Sequence, residues 1–161
     1  MMDWDRQSQM WRTLDDEDDG KRFAITGMKE VGRTNSRAAL AISASYDVLD
    51  ADIRLVEPSA PIVRLDLANR STASHWSEEK QQALAQQFMD TVMDLAGRGI
   101  SEISLFLAAP ASLSIRLGTI YDKRNLPNLL VNQYENGHSL KFPWAVAMPV
   151  AGRRQPELVQ R

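Results

Sequence analysis

At 161 residues, with 43% hydrophobic and 25% charged residues and a formal net charge of −2, the chain has the totals of one globular domain. A chain of this size buries about two-thirds of its unfolded surface. The charge lacks the positive excess of a protein that grips DNA or RNA through a general polyanion field. The absence of cysteine excludes disulfides, thiolate zinc sites and cysteine nucleophiles, and it fits a cytoplasmic protein. No run approaches the roughly 18 apolar residues of a membrane span, and the opening MMDWDRQSQM has neither the basic nor the apolar region of a secretory signal.

The first twenty residues carry Asp3, Asp5, Asp15, Asp16, Glu17, Asp18 and Asp19 against Arg6 and Arg12. We read 1–20 as an acidic arm or short helix, with Trp4, Met10, Trp11 and Leu14 at spacings that could make one apolar face. Residues 21–150 form the domain proper, and 151–161, with Arg153, Arg154 and Arg161, a basic tail. The two ends read either as solvated or as an acidic arm meeting a basic end on a neighbouring copy.

Within the domain, 23–28 is a strand ending at Gly27, and 29–37 is turn-like. Residues 39–46 alternate, with Leu40, Ile42 and Ala44 on one side and Ala41, Ser43 and Ser45 on the other. Residues 48–56 suit a short helix. After Pro58 and Pro61, residues 62–67 form a strand and 69–76 a loop. Ser77 caps a helix that begins with Glu78 and Glu79, shows the stripe Leu84, Phe88, Val92 and Leu95, and ends at Gly97 or Gly99. Residues 103–107 are continuously apolar, as in a strand buried on both faces. Pro110 starts the next helix, whose stripe is Leu113, Leu117, Ile120 and Tyr121; Gly118 would let it approach the sheet closely. A strand at 129–134, an Asn136-Gly137 turn and a strand at 142–148 give a C-terminal β-hairpin, with Pro143 placing the last strand at an edge or bulge. The order implies an α/β fold with a mostly parallel sheet and flanking helices.

Such sheets bind ligands beyond the carboxyl ends of their strands. Leu107, Ala108, Ala109, Pro110, Ala111 and Ser112 run from a strand into a helix; small residues admit a ligand to the backbone, and the helix start offers free N–H groups to a phosphate. The same features suit a tightly packed connection. Ser43, Ser45 and Tyr46 end an earlier strand and offer hydroxyls and a ring for stacking; Asn69, Arg70, Ser71 and Thr72 end another. His75 and His138 lack metal-ligand spacing and read as surface residues. There is no G-x-G-x-x-G, Walker loop or G-x-S-x-G elbow, so we assign no catalytic residue, metal or cofactor, and binding is favoured over catalysis.

The segment Ile103–Gly118, ISLFLAAPASLSIRLG, resembles the signature of SAVED domains. Leu130-Val131-Asn132-Gln133-Tyr134-Glu135 and Phe142-Pro143-Trp144-Ala145-Val146 resemble the strands that follow it in that family, and 39–46 and 61–67 its opening strands, so the likeness covers about 36–150. Phe142 stands where the family has Tyr. The resemblance implies a Rossmann-like, CARF-like lobe that binds a cyclic oligonucleotide in bacterial antiphage defence, in CBASS or type III CRISPR systems. It also implies ligand-driven assembly that switches on an effector. By position, Leu107–Ser112 would line the ligand rim with Ser43, Ser45 and Tyr46, and Arg116 and Lys123 would meet phosphate. The length suffices for one of the family's two lobes, so the other would come from a homo-oligomer or a separate subunit. A ring-nuclease-like enzyme that degrades the ligand, and a split sensor half acting only in assembly, are the alternatives.

Overall fold

The computed structural model describes residues 1–121, 125–148 and 155–161. A seven-stranded sheet runs in the order β3-β5-β4-β6-β7-β8-β9. Its strands are β3 (Phe23–Thr26), β4 (Arg37–Ser43), β5 (Ile62–Leu67), β6 (Glu102–Ala108), β7 (Asn128–Gln133), β8 (Trp144–Ala147) and β9 (Glu157–Gln160). The four central strands are parallel, and β3, β8 and β9 are added antiparallel at the two sides.

The period-2 pattern of β4 explains the layers. Leu40 and Ile42 point to one face, where they meet Val63, Leu65, Ile103 and Leu105 and the apolar stripes of α2 (Glu78–Gly97) and α3 (Ala111–Ile120). Ala39 and Ala41 point to the other face, where Phe106, Ile62 and Phe142 pack with Ile53 of the short α1 (Asp50–Val56). Helices thus cover both faces, and β4 is buried on both. Ser77 caps α2 as its sequence suggests, accepting a hydrogen bond from the Lys80 N–H at 3.2 Å.

Several expectations are corrected. The N-terminal segment is a β-hairpin, β1 (Met2–Asp5) with β2 (Met10–Thr13), and not a helix. The Asp5 carboxylate accepts from the Gln7 N–H at 2.9 Å and the Ser8 hydroxyl at 2.8 Å, and Gln9 takes a left-handed φ of 57°, which turns the chain. Trp4 and Trp11 then face each other as a cross-strand pair, ring centroids 5.7 Å apart. The expected basic tail contains β9, which pairs with β8; Pro143 therefore precedes an internal strand, and its carbonyl accepts from the Arg161 N–H at 2.9 Å. Arg153 and Arg154 lie outside the described residues. The Asn136-Gly137 turn is part of a longer connection between β7 and β8. Pro110 stands one residue before α3. Gly118 is exposed, and a Cβ there would meet open space, so it serves no close approach.

Gly27 is a glycine that the fold requires on two counts. Its φ is +84°, and a Cβ would overlap the Ile62 carbonyl oxygen of the neighbouring β5. Gly27→Ala should cost about 2 kcal/mol or more, measured by urea denaturation; an unchanged midpoint would contradict it.

Candidate functional site

Strand order reverses between β4 and β6: from β4 the chain crosses to β5 on one side, and β6 and β7 follow on the other. In parallel sheets a crevice opens at such a point, beyond the carboxyl ends. Here Ala44 and Ser45 N–H groups both donate to the Ala108 carbonyl at 2.9 Å, which zips the last residues of β4 and β6 together before they part. Above them lies a cavity of about 250 Å³. Its floor and walls are Ser45 and Tyr46 after β4, Ala109–Ser112 after β6, and Thr72, Ala73, His75 and Trp76 after β5. Residues Asp3 to Gln7 of the hairpin form its roof.

The structure brings together seven of the residues singled out from sequence: Ser45, Tyr46, Thr72, Ala109, Pro110, Ala111 and Ser112. The others are employed elsewhere. Ser43 is fully buried, and its hydroxyl accepts from the Val48 N–H at 3.2 Å and from Arg64 at 3.3 Å, shaping the turn into α1. Leu107 packs against the core under α2 and α3, and Ala108 against the opposite one. Arg116 lies 3.0 Å from the Glu78 carboxylate, a partner that accounts for its charge. Arg70 is paired with Asp47. Lys123 is outside the described residues.

His75 is a residue that sequence reading misplaced. It is 2% exposed, and its Nε2 donates to the Ala44 carbonyl at 3.0 Å. Burial holds its pKa below the usual range; the nearby Lys80 charge works in the same direction, and the carbonyls of Ala44 and Ser71 work against it. The ring is therefore neutral at pH 7, and since a carbonyl only accepts, Nε2 carries the proton. His75 Nδ1 and the Ser45 hydroxyl are both buried without a hydrogen-bond partner among the described residues. Native proteins rarely leave such groups unmatched. His138, by contrast, is exposed as expected.

A polar thread supports the wall. Gln81 Nε2 donates to the His75 carbonyl and to the Ser112 hydroxyl, each at 2.8 Å, tying α2 to the loop before it and to the start of α3. The Ser112 N–H, one of the free donors at the start of α3, is met by Asp3 Oδ2 at 2.8 Å. Burial pushes the Asp3 carboxyl up, but the Ser112 and Trp4 bonds and the proximity of His75 outweigh it, so the group stays below the usual carboxylate range. Among the described residues no cluster of His, Asp and Glu could hold a metal ion, and no helix is long and apolar enough to cross a membrane.

The fold is an α/β domain with its cleft at the strand-order reversal, the place where parallel sheets commonly take ligands. The chain belongs to the SAVED family: the model of the SMODS-associated and fused to various effectors sensor domain matches residues 1–148. The match includes the N-terminal hairpin, beyond the stretch that carried the resemblance. No curated protein matches the sequence. Among solved structures, the Acinetobacter baumannii Cap4 SAVED/CARF-domain containing receptor with the cyclic trinucleotide 2′3′3′-cAAA is similar at a TM-score of 0.60 and 14% identity, over 76% of this chain and 26% of that one. The same receptor with 3′3′3′-cAAA is similar at 0.59 and 17% identity, over 81% of this chain and 29% of that one. At these identities the likeness is one of fold, and the chain spans less than a third of the length of those receptors.

Proposed function

We propose that this chain is a cyclic-oligonucleotide-binding sensor domain of bacterial antiphage defence, a Rossmann-like, CARF-like lobe that works from the cytoplasm. The observation that carries this reading is the cavity at the β4–β6 reversal, where the buried Ser45 hydroxyl and His75 Nδ1 lack partners among the described residues. Neutral His75 Nδ1 accepts a hydrogen bond, which suits an exocyclic amine or a ribose hydroxyl. Tyr46, 58% exposed at the rim, offers a face on which a base can stack. Family membership and the ligands of the Cap4 receptor, both cyclic trinucleotides, support the substrate class.

The volume speaks for assembly. About 250 Å³ lies below the roughly 300–1,000 Å³ of sites that enclose a drug-sized ligand, and accommodates a nucleotide-sized part of a ring. The rest of the ligand would be met by a second copy or a separate subunit, and this shared contact would couple binding to effector control.

Calorimetry against cyclic di-, tri- and tetranucleotides tests the reading. At least one should bind, and Tyr46→Ala should weaken that ligand about 5- to 150-fold, the equivalent of one lost base stack. Folded wild-type protein that binds none of them would sink the proposal.

A further inference from the structure

The pocket roof contains a contradiction for a site that receives an anion. The hairpin contributes two carboxylates, Asp3 and Asp5, and one guanidinium, Arg6. Asp5 is occupied within the hairpin by Gln7 and Ser8. Arg6 is exposed and makes no ion pair among the described residues. Asp3 reaches across 109 positions to the Ser112 N–H. A carboxylate at a helix start is stabilised by the free N–H groups and the positive end of the dipole, the same features that would hold a phosphate.

We propose that the β1–β2 hairpin is a lid whose Asp3 carboxylate occupies the anion position at the start of α3, and that a phosphodiester of the ligand displaces it. The inference rests on the cyclic-oligonucleotide reading and adds how that site is held when empty. Three observations carry it. Asp3 is bonded to the α3 N-terminus at 2.8 Å. The wall beside it holds two buried polar groups, Ser45 Oγ and His75 Nδ1, with no hydrogen-bond partner among the described residues. The hairpin is attached asymmetrically. On the β2 side, Leu14 is buried, the Asp16 N–H donates to the Trp76 carbonyl at 3.0 Å, and the Arg12 guanidinium lies 4.9 Å from the Trp76 ring centre. On the β1 side, Asp3 is the only side chain that hydrogen-bonds outside the hairpin among the described residues, and the Met1 ammonium adds an exposed ion pair, 3.7 Å from the Glu78 carboxylate.

Releasing Asp3 therefore leaves β1 tied to α2 through the exposed Met1–Glu78 ion pair, a weak contact, while residues 14–16 stay fixed, and the hairpin can swing about that base once this pair yields. The displaced position would pass to a phosphate oxygen, and Arg6, carried on the same hairpin, is available to pair with the incoming charge. The lid thus exchanges one anion for another at the same backbone donor.

Asp3→Asn keeps the shape and removes the charge. By calorimetry it should bind a cyclic trinucleotide about tenfold more tightly than wild type, since the competing anion at the helix start is gone. Asp90→Asn, on an exposed part of α2, makes the same change in net charge and should leave affinity unaltered. Affinity in Asp3→Asn equal to or weaker than wild type would overturn the proposal. If neither protein binds any cyclic oligonucleotide, the functional reading fails and inorganic phosphate judges the lid alone. The Ser112 amide resonance should then titrate at lower phosphate concentration in Asp3→Asn than in wild type, and coincident titrations, or none in either, would refute it. Circular dichroism establishes that each variant is folded before binding is read.

Discussion

Asp19→Ala should lower folding stability by about 3 kcal/mol, read as a reduced urea midpoint at unchanged slope. The side chain of Lys80 on α2 is 2% exposed, and its ammonium is held by Asp19 Oδ2 and the Ser74 carbonyl, both at 2.8 Å. Removing the carboxylate leaves a buried cation with one neutral acceptor. The reverse change differs. Lys80→Met keeps the aliphatic stem, and Asp19, 36% exposed and 3.4 Å from Lys21, can turn to water, so the cost should stay under about 1 kcal/mol. Equal losses from the two variants would show that burial of the cation is not what makes the pair matter. The pair also sets an acid limit. Burial raises the Asp19 pKa, but the Lys80 bond, the Lys21 N–H and the Lys80 charge overcome it and bring the group from 3.8 to about 2. A folded pKa below the unfolded one gives stability that is complete above about pH 4 and is lost as pH falls toward 2. Asp19→Ala should flatten that limb, and an identical acid limb in variant and wild type would contradict the assignment.

This ion pair matters to the site because the segment from Leu14 to Lys21 carries the lid. Asp15 bridges to Ser77, Asp16 to the Trp76 backbone and Asp19 to Lys80, so three successive contacts anchor the acidic stretch along the start of α2. The charge at positions 15–19 is therefore an internal fastening as well as a solvated run, and an encounter with a basic end of another copy is not needed to account for Asp19.

What could be read from sequence follows from the range of the forces involved. The alternation at 39–43, the apolar run at 103–107 and the Ser77-Glu78-Glu79 start of α2 are local signals, and each element forms where its period and cap place it. The hairpin was not legible in the same way. Trp4, Met10, Trp11 and Leu14 fit a helical face, and the choice falls to the Asp5 turn and the Trp4–Trp11 pairing. For β9, four residues with only Val159 half-buried carry almost no pattern, and pairing with β8 decides their state. The site shows the same division. Ser45, Tyr46 and the Ala109–Ser112 turn were legible as strand ends sharing a rim. Thr72, in the loop after β5, was legible in the same way, and the His75-Trp76 pair further along that loop was the overlooked signal. Asp3 had none, since its bond to Ser112 spans 109 positions.

Glu57→Ala should prove the most damaging single truncation outside the apolar core, at roughly 3–5 kcal/mol. Glu57 follows α1, and its side chain is only 5% exposed. It accepts from Arg161 at 2.8 Å and lies 3.3 Å from Arg37. Arg161 also donates to Asn132 Oδ1 at 2.9 Å and to Ser104 Oγ at 3.2 Å, two buried polar groups on β7 and β6 that apolar packing could not satisfy. One carboxylate thus balances the charge that lets a guanidinium sit over the middle of the sheet, and that guanidinium follows β9 directly. Without Glu57, Arg161 must leave for solvent; β9 loses its anchor, and Ser104 and Asn132 lose the donor between them. Hydrogen exchange should then accelerate most at the β8–β9 amides, with β4 and β5 protected until global unfolding. Arg161→Met separates charge from packing: it leaves Glu57 paired with Arg37, so its cost should be about half that of Glu57→Ala. Uniform acceleration across the whole sheet in Glu57→Ala, with β8–β9 no faster than β4, would show that the cluster does not fix this edge in particular. The expected pattern would instead make the edge separable from the β4–β6 rim, so that cyclic-oligonucleotide binding by the variant, measured where it remains folded, survives the loss of β9.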